Sequence, residues 1–444
     1  MFLVTVEYIR LIFLEENIML YTEMNKEQLA AEKAALTAKY EEFKAKGLNL
    51  TMARGVPAPE QLDLSINMLL HCLDGDTKSK SGADCRSYGV LDGIPEAKEL
   101  FMEMLGVGAD EVIVGGNSSL QMMYDTIIRA LQLGVLGSEK PWCKYDKIKF
   151  LCPAPGYDRH FAMCEAFGIE MITIEYKEDG PDMDEVERLV ASDETIKGIW
   201  CVPMYSNPTG ITYSDEVVRR FANLKPAAKD FRIFWDNAYC VHHLVDKEQD
   251  HLLNIIDECK KAGNPNMVFE FSSTSKISFP GGGLAVICAS KDNIDFIKKQ
   301  MAIQIIGYDK LNQLRHAKYF KNFEGITEHM RHHAAIIRPK FEVVLYKLEQ
   351  ELKPLGIANW TKPRGGYFIS FDGMEGTAKR IVALAKEAGV TMTDAGATYP
   401  YGKDPRDSNI RIAPTYPSVS ELLQAIDLFC ICVRLASVEK LLEK

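Results

Sequence analysis

The chain has 444 residues, 47% of them hydrophobic, and a formal net charge of −10. That length buries a sizeable core and suits more than one domain, and the acidic balance without a basic stripe argues against nucleic acid as the main partner. The eleven cysteines are scattered, several inside apolar runs (Cys152, Cys201, Cys288, Cys430), with no paired metal spacing, so they read as reduced core thiols of a cytoplasmic protein that binds no metal through them.

Met1 to Leu20 are apolar but carry Glu7, Arg10, Glu15 and Glu16, charges that interrupt a membrane span and spoil a signal peptide. No membrane partner is expected. Met24-Asn25-Lys26-Glu27-Gln28 looks like the more natural beginning, so residues 1–23 are expected to be an upstream extension or a weakly ordered arm. Residues 26–46 alternate charge with alanine and leucine at helical spacing. Residues 24–75 are assigned to an N-terminal helix and arm of a small domain. Residues 76–320 carry alternating strand and helix signals, which predict a large α/β domain with a mixed, mostly parallel sheet. Residues 321–444 are expected to return to the small domain. They hold a helix over Thr327–Leu352, a strand over Gly365–Phe371 and a capping box, Ser418 to Glu421, that opens the last helix.

Within the large domain, Glu111–Val114 reads as a strand, followed by Gly115-Gly116-Asn117-Ser118-Ser119 and a helical pattern. Small residues at a helix N-terminus expose backbone N–H groups to an anion such as phosphate, although a plain capped helix start has the same signature. No P-loop occurs, and no Gly-x-Gly-x-x-Gly sits between a strand and a helix. Three further strands end at Pro155-Gly156-Tyr157-Asp158, at Ser206-Asn207-Pro208-Thr209-Gly210 and at Asp236-Asn237-Ala238-Tyr239. A fourth, Met267–Phe271, leads into Ser272-Ser273-Thr274-Ser275-Lys276 and Pro280-Gly281-Gly282-Gly283 before Leu284–Cys288 leads out. Ligands of open α/β sheets sit beyond the carboxyl ends of strands, so Tyr157, Asn207, Asp236, Tyr239 and Lys276 face one crevice. A lysine confined in such a turn loses proton affinity by burial and becomes a nucleophile for carbonyls, including the aldehyde of pyridoxal phosphate (PLP). Asp236 suits the pyridinium nitrogen of that cofactor, Asn207 and Tyr239 its phenolate oxygen, and Tyr157 its ring face. Taken singly, Asp236 is also an ordinary helix cap, Asn207 an ordinary turn residue and each tyrosine an ordinary packing residue.

Together with Asn409-Ile410-Arg411-Ile412-Ala413-Pro414, these stretches resemble, in order, the fold-type I PLP-dependent aminotransferases of class I/II. Ser-Lys-Ile-Ser-Phe-Pro-Gly-Gly-Gly at Ser275–Gly283 and Arg54-Gly55-Val56-Pro57 look most like a bacterial aspartate aminotransferase subgroup related to the aminotransferase domain of MocR-type regulators. The resemblance implies the PLP-dependent transferase fold, with a seven-stranded sheet in the large domain and a smaller α+β domain. It implies transfer of an amino group from an L-amino acid, aspartate at best guess, to a 2-keto acid, 2-oxoglutarate at best guess, by a ping-pong cycle. Lys276 would carry PLP as a Schiff base and shuttle a proton, and Asp236 and Tyr239 would assist it. Ser118, Ser119 and Ser273 would hold the phosphate. Arg411 would clamp the substrate α-carboxylate, with the Gly55 backbone close by. Tyr88 would reach the phosphate of a partner subunit, which implies a homodimer. One departure stands out: where the family usually has a phosphate-binding arginine, position 284 is leucine, and the run Gly281–Gly283 offers backbone N–H groups instead. Arg54, Arg86, Arg315 and Arg364 are the candidates for a substrate side-chain carboxylate, with Arg54 best placed. The same constellation would serve a PLP β-lyase or an aromatic-type aminotransferase. A PLP-binding effector-sensing domain would need a basic DNA-binding module, and the stretch before the core is short and acidic.

Overall fold

The structure is a computed structural model that describes residues 19–443. Thirteen strands are described: β1 (Leu50–Thr51), β2 (Val112–Val114), β3 (Lys149–Ala154), β4 (Glu170–Lys177), β5 (Gly180–Pro181), β6 (Ile196–Cys201), β7 (Arg232–Asp236), β8 (Val268–Ser273), β9 (Ala285–Cys288), β10 (Ala358–Trp360), β11 (Ile369–Gly373), β12 (Val390–Thr391) and β13 (Asn409–Ile412). The large sheet runs β2-β9-β8-β7-β6-β3-β4-β5. Neighbours from β8 to β4 are parallel, and β9 alone turns back between β8 and β2. Strands β6, β7, β8 and β9 are buried at every residue. Their near-continuous apolar runs are what a parallel sheet covered on both faces demands. The seven strands expected are present, and the two-residue β5 adds an eighth by folding back antiparallel on β4.

The C-terminal part holds the antiparallel sheet β10-β11-β13 and the parallel pair β1-β12. Pairing of Leu50 with Val390 ties the N-terminal arm into this unit. The helix Lys26–Ala45 opens on a capping box at Asn25 and packs along the last helix, Val419–Leu442, whose own capping box is Ser418 with Glu421. The expected helix over Thr327–Leu352 spans Phe323–Glu351. Its first half (Ile326, Met330) joins the apolar core beneath the large sheet's helices, and its second half (Ile337 to Leu348) joins the C-terminal core. It is one rod shared by both layers.

Two expectations shift. The strand read from Gly365 starts only at Ile369. Gly366 has a φ of +77°, and Gly365 lies so close that an added Cβ would meet the Tyr205 ring at 2.2 Å, so the chain is still turning there. Of the arm expected over 1–23, residues 1–18 lie outside the described residues. Tyr21 is fully buried, and its hydroxyl donates to Glu32 and accepts from Arg434 Nε at 3.0 Å.

Candidate active site

Strands β3, β6, β7 and β8 are parallel, so their carboxyl ends open on one side of the sheet. There they bound a cavity of about 770 Å³. Lys276, Asp236, Tyr239, Tyr157, Asn207, Ser118, Ser119, Ser273, Arg411, Gly55 and Arg54 all line it. Tyr88 does not; it is 84% exposed on the outside of the chain.

Lys276 follows β8 in a tight turn. The carbonyl of Thr274 accepts from the backbone N–H groups of Ile277 (2.9 Å) and Ser278 (2.8 Å), while Thr274 Oγ1 accepts from Leu284 N at 2.8 Å. Leu284, the residue just before β9, is thereby locked to the turn that carries the lysine. Its Nζ lies 5.0 Å from the centre of the Tyr239 ring. Burial lowers the proton affinity of the amine, and the Asp236 carboxylate opposes that shift without cancelling it. Burial pushes the Tyr239 hydroxyl well up and the Tyr157 hydroxyl up to about 12, so both stay protonated donors at neutral pH.

Asp236, the last residue of β7, is 3% exposed. Its Oδ2 lies 3.1 Å from His160 Nε2, and the His160 ring stacks flat on Trp200, with centroids 4.2 Å apart. Its Oδ1 is buried with no hydrogen-bond partner. A buried carboxylate oxygen left bare is costly unless something donates to it. His160 was not singled out from the sequence. It lies in a helix, three residues after Tyr157, and only the fold carries it to Asp236.

Arg411, on β13, spends Nη1 on Asp158 Oδ1 (2.8 Å) and Asn207 Oδ1 (3.2 Å). That fixes the guanidinium and leaves the Nε edge without a partner. It also orients the Asn207 amide, whose NH2 remains available. The guanidinium carbon sits 4.9 Å from the Phe368 ring centre. Phe368 in turn explains Gly55: a Cβ there would fall 2.2 Å from Phe368 Cζ.

At the opposite end of the cavity, the helix Ser119–Leu133 points its N-terminus inward, and the N-cap Ser118 makes no side-chain cap. Its first N–H groups and the Ser118 hydroxyl are open to an anion. Ser273 Oγ donates to Ser275 Oγ (3.1 Å), which donates to Asn117 O (3.0 Å). The glycine run does not supply the missing arginine's contacts. Gly281, Gly282 and Gly283 do not line the cavity, Gly282 N donates to Phe279 O (3.1 Å), and the carbonyls of Gly282 and Gly283 accept from Asn312 Nδ2 at 3.0 Å. Of the four arginines considered for a substrate side chain, Arg54 alone lines the cavity. Arg86 pairs with Asp84 and Arg364 with Asp250, each at 2.7 Å, and Arg315 bonds Asn312 at 3.0 Å. Arg159, next to His160, also lines the cavity.

A depleted amine, a bare buried carboxylate oxygen and an uncapped helix end around one cavity fit PLP, since each answers a different part of that cofactor. Fold and site together are those of a fold-type I PLP-dependent enzyme. The chain belongs to the aspartate amino-transferase family, which matches residues 24–444. An aspartate aminotransferase of Corynebacterium glutamicum is 45% identical over 401 residues, covering 90% of this chain and 92% of that protein. The solved structure of an aspartate transaminase from the same organism superposes with a TM-score of 0.93 at 43% identity, covering 96% of this chain and all of the other. The α-aminoadipate aminotransferase LysN of Thermus thermophilus, solved with N-(5'-phosphopyridoxyl)-L-leucine, shares the fold at a TM-score of 0.72 and 20% identity. The protein is thus a PLP-dependent aminotransferase.

Proposed function

We propose that the chain moves the amino group of L-aspartate to a 2-keto acid, 2-oxoglutarate, in a ping-pong cycle. The observation that carries the chemistry is that the Lys276 amine and the bare Asp236 Oδ1 line one cavity. The choice of aspartate rests on the 45% identical C. glutamicum aspartate aminotransferase. PLP, when bound, supplies the electron sink that allows the Cα–H bond of the amino acid to break. Lys276 Nζ would take up that proton and release it again as the transfer completes. Asp236 Oδ1 would hold the pyridine nitrogen in its protonated form, with His160 fixing the other oxygen. Asn207 and Tyr239 would donate to the phenolate oxygen, Tyr157 would pack on the ring, and Ser118 and Ser119, with Ser273 once its hydroxyl turns from Ser275, would donate to the phosphate. The Nε edge of Arg411 takes the α-carboxylate beside the Gly55 backbone, a fork that an ammonium could not reproduce. Arg54 is the proposed partner of the substrate's second carboxylate.

The division into a large domain over 76–320 and a small domain from 24–75 and 321–444 is part of the same reading. So is a homodimer, to which the exposed Tyr88, 84% accessible, would offer its side chain. A cytoplasmic setting is part of the same reading; among the described residues no helix is long and apolar enough to cross a membrane. Steady-state assays with a panel of amino donors and keto acids test the substrate choice. Aspartate and 2-oxoglutarate should give the highest kcat/KM; a neutral or aromatic donor in first place would move the reading to another aminotransferase.

A further inference from the structure

Behind the strand ends that carry Asp236 and Lys276 lies a second cavity, of about 180 Å³. Asn237 and Glu270 line it. Asn237 follows Asp236 directly, and Glu270 precedes the lysine turn on β8. Side chains of successive strand residues point to opposite faces, so the two cavities share a wall.

The second cavity is short of donors. Glu270 is 3% exposed, and among the described residues it has no ion pair and a single hydrogen bond, from Asn237 Nδ2 at 2.9 Å. With its NH2 turned to Glu270, Asn237 is left with a bare Oδ1 at 6% residue exposure. Its main chain is pinned on both sides, N–H to Phe271 O at 2.8 Å and C=O from Ser272 Oγ at 3.0 Å, so the amide cannot swing away to find a donor. Asp250 is already balanced by Arg364 at 2.7 Å. His243 Nδ1 lies 2.7 Å from the Tyr205 hydroxyl, which accepts from Asp250 N (3.1 Å) and so gives its own proton to the ring. Burial holds His243 below its usual proton affinity, so that ring is neutral.

We propose that this cavity holds a monovalent cation, bound between Asn237 Oδ1 and the Glu270 carboxylate. The charge count selects the valence: Glu270 is the one carboxylate of the cavity without a cation among the described residues. A calcium ion would want six or more oxygens and would leave a buried excess charge. A transition metal finds no cluster of three ligating side chains among the described residues. The volume exceeds that of a few waters, enough for an ion with part of its shell. Bound there, the cation fixes the Asn237 amide and with it the main chain that aims Asp236 into the active site.

The proton is the competitor. Burial pushes the Glu270 carboxyl up to about 7, so the cation should bind better above pH 7 than below it. The other titratable groups at the cavity are Asp250 and His243, both described above, Cys240, whose thiol burial raises to about 12, and His251, 77% exposed and 3.8 Å from Asp215.

The test is thermal unfolding of the holoenzyme in potassium, ammonium and sodium chloride against choline chloride at equal ionic strength. At least one inorganic cation should raise the midpoint by several degrees, saturably, more above pH 7 than below it. E270Q, which keeps the shape and removes the charge, should lose the effect. Equal midpoints in all four salts would overturn the proposal, as would a saturable effect that survives E270Q. Should E270Q fold poorly, crystals of the parent protein soaked in rubidium chloride decide: an anomalous peak beside Asn237 Oδ1 is expected, and none there would overturn it.

Discussion

Replacing Gly55 with alanine isolates the link between packing and substrate binding. The new Cβ would lie 2.2, 2.6 and 3.0 Å from three carbons of the Phe368 ring. Ordinary carbon contacts are about 3.5–4.0 Å, so the ring must retreat by roughly 1 Å or more. Phe368 is 5% exposed, edge-on to Tyr239 at 6.5 Å and under the Arg411 guanidinium at 4.9 Å. It therefore cannot move without disturbing the group that takes the α-carboxylate. The backbone at Gly55 is not left-handed, so the effect is steric and not torsional. Overpacking of this kind costs about 1–3 kcal/mol of stability, and a displacement of ~1 Å at a positioned group costs about 10²-fold in rate. G55A should keep its cofactor absorbance, melt a few degrees lower and lose about 100-fold in kcat/KM, with raised KM for both substrates. Parental kinetics in a folded G55A would refute the chain of contacts from Gly55 through Phe368 to Arg411.

Three further outcomes follow from the same contacts. His160→Leu removes the one side-chain partner of Asp236 among the described residues; a buried charged hydrogen bond is worth about 1.5–3 kcal/mol, so kcat should fall at least about 10-fold in steady-state assays while KM changes little. Arg411→Lys loses the fork and leaves Asp158 and Asn207 without their shared donor; KM for amino acid and keto acid should rise together, and a change in kcat alone would place the carboxylate elsewhere. Burial lowers His316 to about 4 and His333 to about 3, from an ordinary 6.5. The unfolded chain binds these protons first, so stability is full above pH 6.5 and is lost as pH falls toward those values, by roughly 3 kcal/mol for His316 and roughly 5 kcal/mol for His333. Urea unfolding across that window should show the loss, and His316→Gln should flatten it; an unchanged slope would mean that His316 charges freely in the fold.

Much of the site was legible because each of its residues stands at the end of an apolar strand, where short-range sequence patterns are strongest. Asp236 ends β7, while Lys276, Asn207 and Tyr157 follow the ends of β8, β6 and β3, and the topology needs only parallel strands to gather them. What stayed hidden depends on contacts between distant segments. His160 is one turn into a helix and looks like any helical residue; its role rests on Trp200 and Asp236, both far along the chain. Phe368 gives no local sign that it faces Gly55 and Arg411. The glycine run resembled an anion-binding loop, but Asn312 holds its carbonyls and the run stays outside the cavity. The late start of β11 follows from the tight passage of Gly365 and Gly366 beside Tyr205, which no strand propensity reports. The pairing of Glu270 with Asn237 was likewise invisible: a glutamate inside an apolar strand run carries no sign of what it meets.

The central claim is that Lys276 is the residue through which this chain holds PLP and moves the proton. An absorption spectrum of the PLP-loaded protein, before and after L-aspartate, compared with Lys276→Ala treated alike, tests it most directly. The account predicts a yellow cofactor band in the parent that bleaches with aspartate, and loss of both the band and transamination in the variant. A Lys276→Ala protein that keeps the band and turns over substrate would contradict it.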